Sequence, residues 1–355
     1  MKSCKDIILE DIKFVCDSTD LQEFKNSRIL LAGGSGLIGS YFAHLFSYLN
    51  EYENAMIEVD LITRNQIEKK SKIWGLRDAN GFNFIQQDLS RFITYEKPYD
   101  FIIHAAGYGA PSTFLSDPIN VIDVNYIGLK SMLESSLKTN PKARILYLSS
   151  SEIYGSPTPE NFPTPETYAG NSEITNNRAC YIESKRLSEV LALNYIILNK
   201  MNIKIARPAL SYGPGMSFED RRVISQFIKE AHFKKEIHMI DDGRDLRCFC
   251  YISDVLRQLV NILLFAKETI YNVGSSEEEV NIKRLADIIE ELIGAKVFPG
   301  PGKTKEVIGA PSRVCLDMTK LEREFGFKPD TRLRAGLKRT IDWVIAYVKE
   351  INQNI

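Results

Sequence analysis

The sequence lacks an excess of either charge and lacks long apolar runs, and each absence excludes a class of protein. Its 355 residues include 45 Lys and Arg against 46 Asp and Glu, so the basic surplus typical of nucleic-acid-binding proteins is missing. Charged residues interrupt the apolar stretches before the length of about 18 residues that spans a bilayer. Residues 1–10 show no signal-peptide pattern. We therefore predict a cytoplasmic protein without nucleic-acid or membrane partners.

The six cysteines are too scattered to form a disulfide framework or a zinc site built from paired motifs. Cys248 and Cys250 alternate around Phe249 in a predicted strand, so we interpret them as buried free thiols. The histidines do not have the spacing of metal ligands. The sequence therefore predicts no metal site.

Short apolar strands alternate with longer helical patterns in the first part of the chain. The strands are predicted at 28–32, 57–62, 82–86, 101–104, 144–148 and 203–206, and helices at 37–49, 121–138 and 181–199. This alternation is typical of an α/β fold with a doubly wound parallel sheet, the Rossmann fold, which we predict for residues 28–206. Residues 1–27 are predicted to form a helical extension. Residues 207–355 are predicted to form mainly a smaller, mixed α/β substrate-binding lobe, interleaved with the first domain.

A glycine-rich turn connects the first predicted strand to an apolar helix. Its sequence is Gly33-Gly-Ser-Gly36-Leu37-Ile38-Gly39. Glycines at such a turn allow a tight bend, close approach of the backbone to a pyrophosphate, and packing of the helix on the strand. The N–H groups of the helix N-terminus attract the same anion. The strand before the turn and the helix after it predict a dinucleotide-binding loop.

The second predicted strand leaves the type of dinucleotide open. An acid at its end would bind the adenosine ribose, but the strand ends Thr63-Arg64-Asn65. Asp60 lies inside the strand and is expected to point elsewhere. Because an arginine here also suits a 2′-phosphate, Arg64 leaves both NAD and NADP possible. After the third strand, Asp88-Leu89 either contacts the adenine or caps the next turn.

A serine-ended fifth strand and a Tyr-x-x-x-Lys sequence predict redox chemistry. Ser149-Ser150-Ser151-Glu152 follows the strand, and Tyr181 and Lys185 lie one helical turn apart. An ammonium group beside a phenol favours the phenolate, so we expect Lys185 to lower the pKa of Tyr181 from about 10. Tyr181 is thus predicted to accept a proton from a substrate hydroxyl while a hydride passes to nicotinamide. Ser150 is predicted to hold the same hydroxyl.

With these motifs in this order, the chain from about residue 28 to 348 resembles the extended short-chain dehydrogenases/reductases that modify nucleotide sugars. Within that group it is most similar to the UDP-glucuronate decarboxylase family. The segments that carry the resemblance are Arg178-Ala-Cys-Tyr-Ile-Glu-Ser-Lys-Arg186, Pro111-Ser-Thr-Phe-Leu-Ser-Asp-Pro118, Arg222-Val-Ile-Ser-Gln-Phe227, Leu246-Arg-Cys-Phe249 and Gly326-Phe-Lys-Pro329.

The resemblance implies a bound NAD, with NADP possible, and a substrate that is a UDP-linked sugar. It places Ala105 and Asn125 among the cofactor contacts, although a plain helical role for Asn125 is nearly as probable. It places Pro111, Phe114 and Arg222 among the substrate contacts. The helices at 121–138 and 181–199 form the dimer core in relatives, so the resemblance also implies a homodimer.

The implied reaction oxidises the sugar at C4, loses CO₂ from the resulting β-keto acid, and returns the hydride to give a UDP-pentose. The resemblance places Ser151 and Glu152 at the C5–C6 end of the sugar. It assigns Arg247 to the sugar carboxylate, which suits the guanidinium fork. A contact from Arg247 to a ribose or phosphate is the alternative.

Three other functions remain open. A 4,6-dehydratase often has Asp-Glu where this chain has Ser151-Glu152, but GDP-mannose dehydratases also carry Ser-Glu. A 4-epimerase needs no Glu152. A non-catalytic cofactor-binding protein would not need the Ser150, Tyr181 and Lys185 set. The chain also departs from the family pattern at two positions near the nucleotide, with Leu210 in place of Asn and Gly215 in place of Arg.

Overall fold

The structure, a computed structural model, describes residues 2–69, 71–109, 116–176, 178–217, 219–220, 222–302 and 311–353. In chain order its strands are β1 Arg28–Ala32, β2 Glu58–Thr63, β3 Phe82–Gln86, β4 Phe101–His104, β5 Arg144–Leu148, β6 Asn202–Pro208, β7 Ser211–Tyr212, β8 Glu236–His238, β9 Leu246–Cys248, β10 Cys250–Tyr251, β11 Ile270–Val273, β12 Glu279–Asn281, β13 Lys296–Phe298 and β14 Arg313–Val314.

The helices that surround these strands are α1 Cys4–Asp17, α2 Leu37–Glu53, α3 Pro118–Thr139, α4 Ala179–Asn199, α5 Val223–Lys234, α6 Ile252–Phe265, α7 Ile282–Ile293, α8 Thr319–Phe325 and α9 Leu333–Gln353. No helix in the described ranges is both long enough and apolar enough to cross a membrane.

A seven-stranded parallel sheet forms the centre of the molecule, in the order β11-β6-β5-β4-β1-β2-β3. Helices cover both faces, and the central strands such as β1, β4 and β5 are almost wholly buried, as expected of a parallel sheet. The predicted Rossmann fold is therefore confirmed. The strand order reverses between β1 and β4, which is where open sheets of this kind bind their ligands.

The bounds predicted from the sequence agree with the structure for most strands of the central sheet and agree less well for the helix ends. Strands β1, β3, β4 and β5 have the predicted bounds. Helix α3 begins earlier than predicted because Pro118 suits the first helical turn. Helix α2 continues to Glu53, where Asn54 in the left-handed conformation ends it. Asp60 accepts hydrogen bonds from Tyr99 and Lys97, so its carboxylate has partners within the protein.

After β6 the chain builds three smaller sheets and also returns to the central one. The smaller sheets pair β10 with β7, β13 with β8, and β12 and β14 with β9. Helix α6 packs against strands of both the central sheet and the β10–β7 sheet, and β11 pairs with β6 at the edge of the central sheet. The part of the chain after residue 207 therefore contributes to both the large sheet and the small ones.

Helix α1 packs against α2, α6 and α9 through its apolar face. Its N-terminus is closed by a capping box between Ser3 and Asp6. Buried Asp11 accepts hydrogen bonds from the hydroxyls of Tyr41 and Tyr251 and from the Arg339 guanidinium. This polar cluster joins the N-terminal helix to three distant parts of the chain.

Candidate active site

The glycine-rich loop lies at the reversal of strand order, directly after β1. Gly33 has a φ of +83°, and a Cβ built on it would lie 2.5 Å from the Ala106 nitrogen. A Cβ on Gly39 would lie 2.2 Å from the Gly33 carbonyl oxygen. Gly36 is the N-cap of α2 and has no side chain to cover the first N–H groups of that helix. Leu37 and Ile38 follow in the first turn, so this helix end is available to an anion.

A lysine to which the sequence analysis gave no role contacts Gly215, close to the first turn of α2. The Lys72 ammonium donates a 2.5 Å hydrogen bond to the Gly215 carbonyl oxygen. Gly215 has a φ of +86°, which favours glycine, and a Cβ built on it would lie 3.2 Å from Lys72 Cδ. Burial, together with the charge of Arg222, lowers the pKa of Lys72 to about 7. The only sequence signal was the basic run after β2.

Arg222 is the other cation in this region. Its guanidinium forms a charged pair with the Asp220 carboxylate at 2.6 Å, and it lies at the N-terminus of α5. Its charge acts on both Lys72 and Tyr181. Arg222 is therefore near enough to influence both Lys72 and the predicted catalytic tyrosine.

The residues predicted to contact adenosine have partners within the protein. The Arg64 guanidinium hydrogen-bonds the Tyr108 hydroxyl and stacks 5.2 Å from that ring centroid. The exposed Asp88 carboxylate accepts a 3.0 Å hydrogen bond from the Ser90 N–H, which is the turn-capping alternative. Leu89 is buried. The acids of β2 are Asp60 and Glu58, and Glu58 pairs with Arg28.

Ser150, Tyr181 and Lys185 come together at the ends of β5 and α4, and all three are buried. The Tyr181 phenol and the Ser150 hydroxyl are hydrogen-bonded. The Lys185 ammonium donates to the Leu148 carbonyl oxygen at 2.7 Å and lies 5.9 Å from the Tyr181 ring centroid. The spacing of four residues on a helix therefore brings both groups to the carboxyl end of β5.

The predicted pKa of Tyr181 was wrong in direction for the protein without ligands. Burial raises the pKa of Tyr181 to about 12, although the Ser150 hydrogen bond and the charges of Arg222 and Arg178 act to lower it. Burial also lowers the pKa of Lys185 to about 7. In this cleft the loss of hydration disfavours both charged forms more than the surrounding hydrogen bonds and charges favour them.

Gly107 leaves a small gap beside the Asn125 amide and the Lys185 ammonium, near the end of β4. The buried Asn125 amide donates to the Ser184 hydroxyl at 2.9 Å, and within the described residues its Oδ1 has no hydrogen-bond partner. A Cβ built on Gly107 would lie 3.2 Å from that Oδ1 and 3.4 Å from the Lys185 ammonium. Ala105 follows β4 next to this space. An acceptor and a cation at one small opening suit a ribose hydroxyl.

Glu152 is bound by Arg178, a residue to which the sequence analysis gave no functional role. The Glu152 carboxylate accepts hydrogen bonds from Arg178 at 2.6 Å and 3.2 Å. Arg178 is the N-cap of α4 and is largely buried. Ser151 precedes Glu152 in the same short helical turn. The charge of Arg178 also acts on Tyr181, so this ion pair borders the catalytic group.

Arg247 lies on β9 with its guanidinium facing the loop that leads into β14. It donates 2.8 Å hydrogen bonds to the carbonyl oxygens of Leu246 and Pro311. It is largely buried, and burial lowers its pKa, although the charges of Asp245, its ion-pair partner at 3.4 Å, and of Glu152 favour the charged form. Arg178 therefore contacts Glu152 directly, and Arg247 contributes a second guanidinium in the same region, paired with Asp245.

A shallow cleft runs from the turn after β5 to β14. Ser151 and Glu152 line one side, and Pro311, Arg313 and Cys315 line the other. The predicted substrate contacts Pro111 and Phe114 lie outside the described residues. The Leu210 carbonyl, at one of the two family departures, accepts a hydrogen bond from the Cys250 N–H.

Sequence comparison identifies relatives of the whole region just described. The profile of the NAD dependent epimerase/dehydratase family matches residues 29–274. UDP-glucuronic acid decarboxylase 5 of Arabidopsis thaliana is 33% identical over 317 residues, which cover 88% of this chain and 87% of the relative. UDP-glucuronic acid decarboxylase 1 of Xenopus tropicalis is 30% identical over 326 residues, covering 91% of this chain and 73% of the relative.

Solved structures share the fold at lower identity. The epimerase Mth375 of Methanothermobacter thermautotrophicus superposes with a TM-score of 0.77 at 21% identity, covering 98% of each chain. UDP-glucuronic acid 4-epimerase of Bacillus cereus, solved with a fluorinated UDP-glucuronic acid and NAD, gives 0.75 at 22% identity, covering 91% of this chain and 99% of that one.

Proposed function

Because this chain belongs to the NAD dependent epimerase/dehydratase family, we propose that it binds NAD and converts UDP-glucuronate to a UDP-pentose and CO₂. One observation carries the choice of an acidic sugar. Arg178, which holds Glu152 at the edge of the cleft, and Arg247, which pairs with Asp245, bring two buried guanidinium groups to one region. Two guanidinium groups in one region suit a substrate that carries a carboxylate.

The chain's own residues would hold the cofactor at both ends. The glycine loop and the N-terminus of α2 receive its diphosphate. Asn125 Oδ1 and the space at Gly107 receive the ribose next to nicotinamide. When bound, NAD accepts the hydride from sugar C4 and adds a positive charge to the buried site. Because the reaction returns that hydride, no external oxidant is required.

Tyr181 and Ser150 act at the C4 hydroxyl. Ser150 orients the hydroxyl, and Tyr181 accepts its proton as C4 becomes a ketone. The sugar carboxylate is then β to a ketone. The electrons of the bond to the carboxyl carbon pass toward the ketone oxygen as CO₂ leaves, which gives an enolate. Tyr181 donates its proton back to stabilise that oxygen, and C5 is protonated before C4 is reduced again.

Arg178, Arg247 and Glu152 act at the other end of the sugar. The guanidinium groups hold the carboxylate against C5 until the ketone has formed. Loss of CO₂ then removes a negative charge from between them. Glu152, already hydrogen-bonded to Arg178, remains as their counter-ion. Ser151, in the same turn, adds a hydroxyl at this end of the sugar.

Lys72 supplies the cation that the family pattern places at Gly215. The Lys72 side chain packs on Gly215, and its ammonium donates a hydrogen bond to the Gly215 carbonyl oxygen. We assign Lys72 and Arg222 to the phosphates, where two cations of like charge close together are stabilised by an anion.

We further propose a homodimer formed through α3 and α4. Helix α4 presents Leu187, Val190, Ile197 and Leu198 to solvent, with exposures from 47% to 76%, and α3 presents Ile119. Apolar side chains exposed together on neighbouring helices favour association with another surface. The cytoplasmic location and the UDP moiety remain predictions.

The deciding experiment is incubation of the protein with UDP-glucuronate and NAD, followed by mass spectrometry of the nucleotide sugars. A product lighter by one CO₂ supports the proposal. Loss of water from a UDP- or dTDP-hexose assigns a dehydratase instead, and an isomer of unchanged mass assigns an epimerase. Absence of turnover with NAD still bound supports a cofactor-binding protein without catalysis.

A further inference from the structure

Two cysteines and a glutamate meet on one face of the three-stranded sheet in the smaller lobe. Glu279 on β12 is the register partner of Cys248 on β9. Cys315 directly follows β14, whose last residue pairs with the neighbour of Cys248 on the other side. One ligand atom from each of these residues lies within 4.8 Å of the other two. Three adjacent strands therefore bring three metal-binding side chains to one point.

The surroundings suit a divalent cation. Both thiols are buried and hydrogen-bonded to each other, and they carry no disulfide. The Arg313 guanidinium donates to both oxygens of Glu279, at 2.7 Å and 3.0 Å, and stacks 4.8 Å from the Phe162 ring centroid. Two thiolates and the carboxylate carry three negative charges, which a divalent cation and Arg313 together neutralise.

We propose that Cys248, Glu279 and Cys315 bind one Zn²⁺ ion, with water as the fourth ligand. Thiolate sulfur and carboxylate oxygen are ligands that zinc accepts, at about 2.3 Å and 2.0–2.2 Å. Tetrahedral bonds of that length place ligand atoms roughly 3.5–4 Å apart, so small side-chain rotations suffice. Arg313 then serves as the outer partner that orients Glu279. Cys315 and Arg313 also line the cleft beside Ser151, which gives the ion a route in.

The role that follows is structural. Cys248 follows Arg247 on β9, and Arg247 donates to the Pro311 carbonyl just before β14. The Cys315 carbonyl accepts a 2.9 Å hydrogen bond from the Thr164 N–H, near the turn that carries Glu152. An ion at this point would fix the strands that position Arg247. The inference does not depend on the reaction proposed above.

The test is titration of the reduced, metal-free full chain with Zn²⁺ by calorimetry, and with Co²⁺ by its thiolate absorption band. We expect one ion per chain. Binding is lost in Cys248→Ala and Cys315→Ala and weakened at least about 10-fold in Glu279→Gln. Cys250→Ala, which removes a buried thiol outside the cluster, binds as the wild type does. Zinc at about 100 times its Kd raises the wild-type Tm by several degrees and leaves the Tm of Cys315→Ala unchanged.

The assignment is wrong if the folded wild type does not bind zinc stoichiometrically, or if Cys315→Ala binds zinc as tightly as the wild type. It is also wrong if Cys250→Ala is the one variant that loses zinc binding. If the chain purified without reductant is two hydrogens lighter by intact mass and takes up no zinc after reduction, the cysteine pair is a disulfide-forming pair and not a metal site. Circular dichroism of each variant, together with the more conservative Cys315→Ser, separates loss of ligand from loss of fold.

Discussion

Tyr181 combines a buried phenol with a pKa of about 12, so the protein without ligands keeps it protonated. Desolvation is the main cause, and it must be offset when NAD and substrate bind. Tyr181→Phe removes only the hydroxyl. We expect kcat to fall by at least about 100-fold while NAD affinity and Tm stay unchanged, measured by steady-state kinetics, calorimetry and thermal melts. An active Tyr181→Phe would assign the base elsewhere.

Ser150 tunes that phenol. Its hydrogen bond acts to lower the pKa of Tyr181, and only the deprotonated tyrosine accepts the C4 proton. Removing the bond in Ser150→Ala therefore raises the pKa of Tyr181, and the rising limb of kcat/KM moves to higher pH. Profiles of both proteins between neutral and alkaline pH measure the shift. An unmoved limb with reduced activity would limit Ser150 to binding the substrate.

Lys72 is the residue that the sequence offered least reason to choose. Hydrogen bonds to charged groups contribute about 1.5–3 kcal/mol, so Lys72→Met is expected to weaken diphosphate binding about 10-fold or more. Kd for NAD, ADP-ribose and UDP, measured separately, shows which diphosphate it contacts. Lys69→Met, an exposed lysine of the same run, is the matched control. Equal affinities in all three proteins would remove Lys72 from the site.

The sequence predicted the groups that share a short segment and missed those joined across the chain. Tyr181 and Lys185 are one helical turn apart, so their proximity follows from spacing alone. Arg178 and Glu152 are separated by 26 residues, and Lys72 and Gly215 by 143. No local sequence pattern predicts either of these two contacts. The direction of the Tyr181 pKa was missed for the same reason, since burial depends on the assembled fold.

Among the elements, the central strands were predictable and the strands of the smaller lobe were not. Strands such as β1 and β5 are continuous apolar runs followed by glycine or serine turns. Strands β7, β10 and β14 are only two residues long and show no alternation. Such strands exist because neighbouring strands are already in place. The cluster of Cys248, Glu279 and Cys315 was invisible because it depends on their register.

Helix α4 carries the prediction about assembly. Val190 is 54% exposed near the middle of the helix, among other exposed apolar side chains. A buried charge would destabilise a dimer formed there, so Val190→Glu is expected to give a monomer by light scattering after gel filtration. Phe265→Glu changes an exposed apolar residue on α6 and should leave the mass unchanged. A wild-type monomer, or dimeric Val190→Glu, would contradict the proposed interface.

On the scale of the whole molecule, Asp11 connects α1 to α2, β10 and α9. Asp11→Asn keeps the shape but leaves Arg339 without its buried partner. We expect a loss of about 2 kcal/mol in the free energy of unfolding, below the 3–5 kcal/mol of fully buried pairs because Arg339 is partly exposed. Denaturant titration measures it. Asp17→Asn, on an exposed pair of the same helix, should change stability by less than about 0.5 kcal/mol. Equal effects would show that the cluster adds nothing.

The path of the chain has a consequence for how long the cofactor stays. The backbone leaves the large sheet after β6, comes back through α6 and β11, and leaves again at β12. Because several chain connections join the central sheet to the smaller lobe, rotation about a single hinge cannot separate them. Exchange of a dinucleotide at the glycine loop must therefore wait for local movements of backbone, and we expect it to be slow. An enzyme that takes a hydride and gives it back to the same molecule gains from that retention, because a cofactor lost midway would strand the sugar as a ketone.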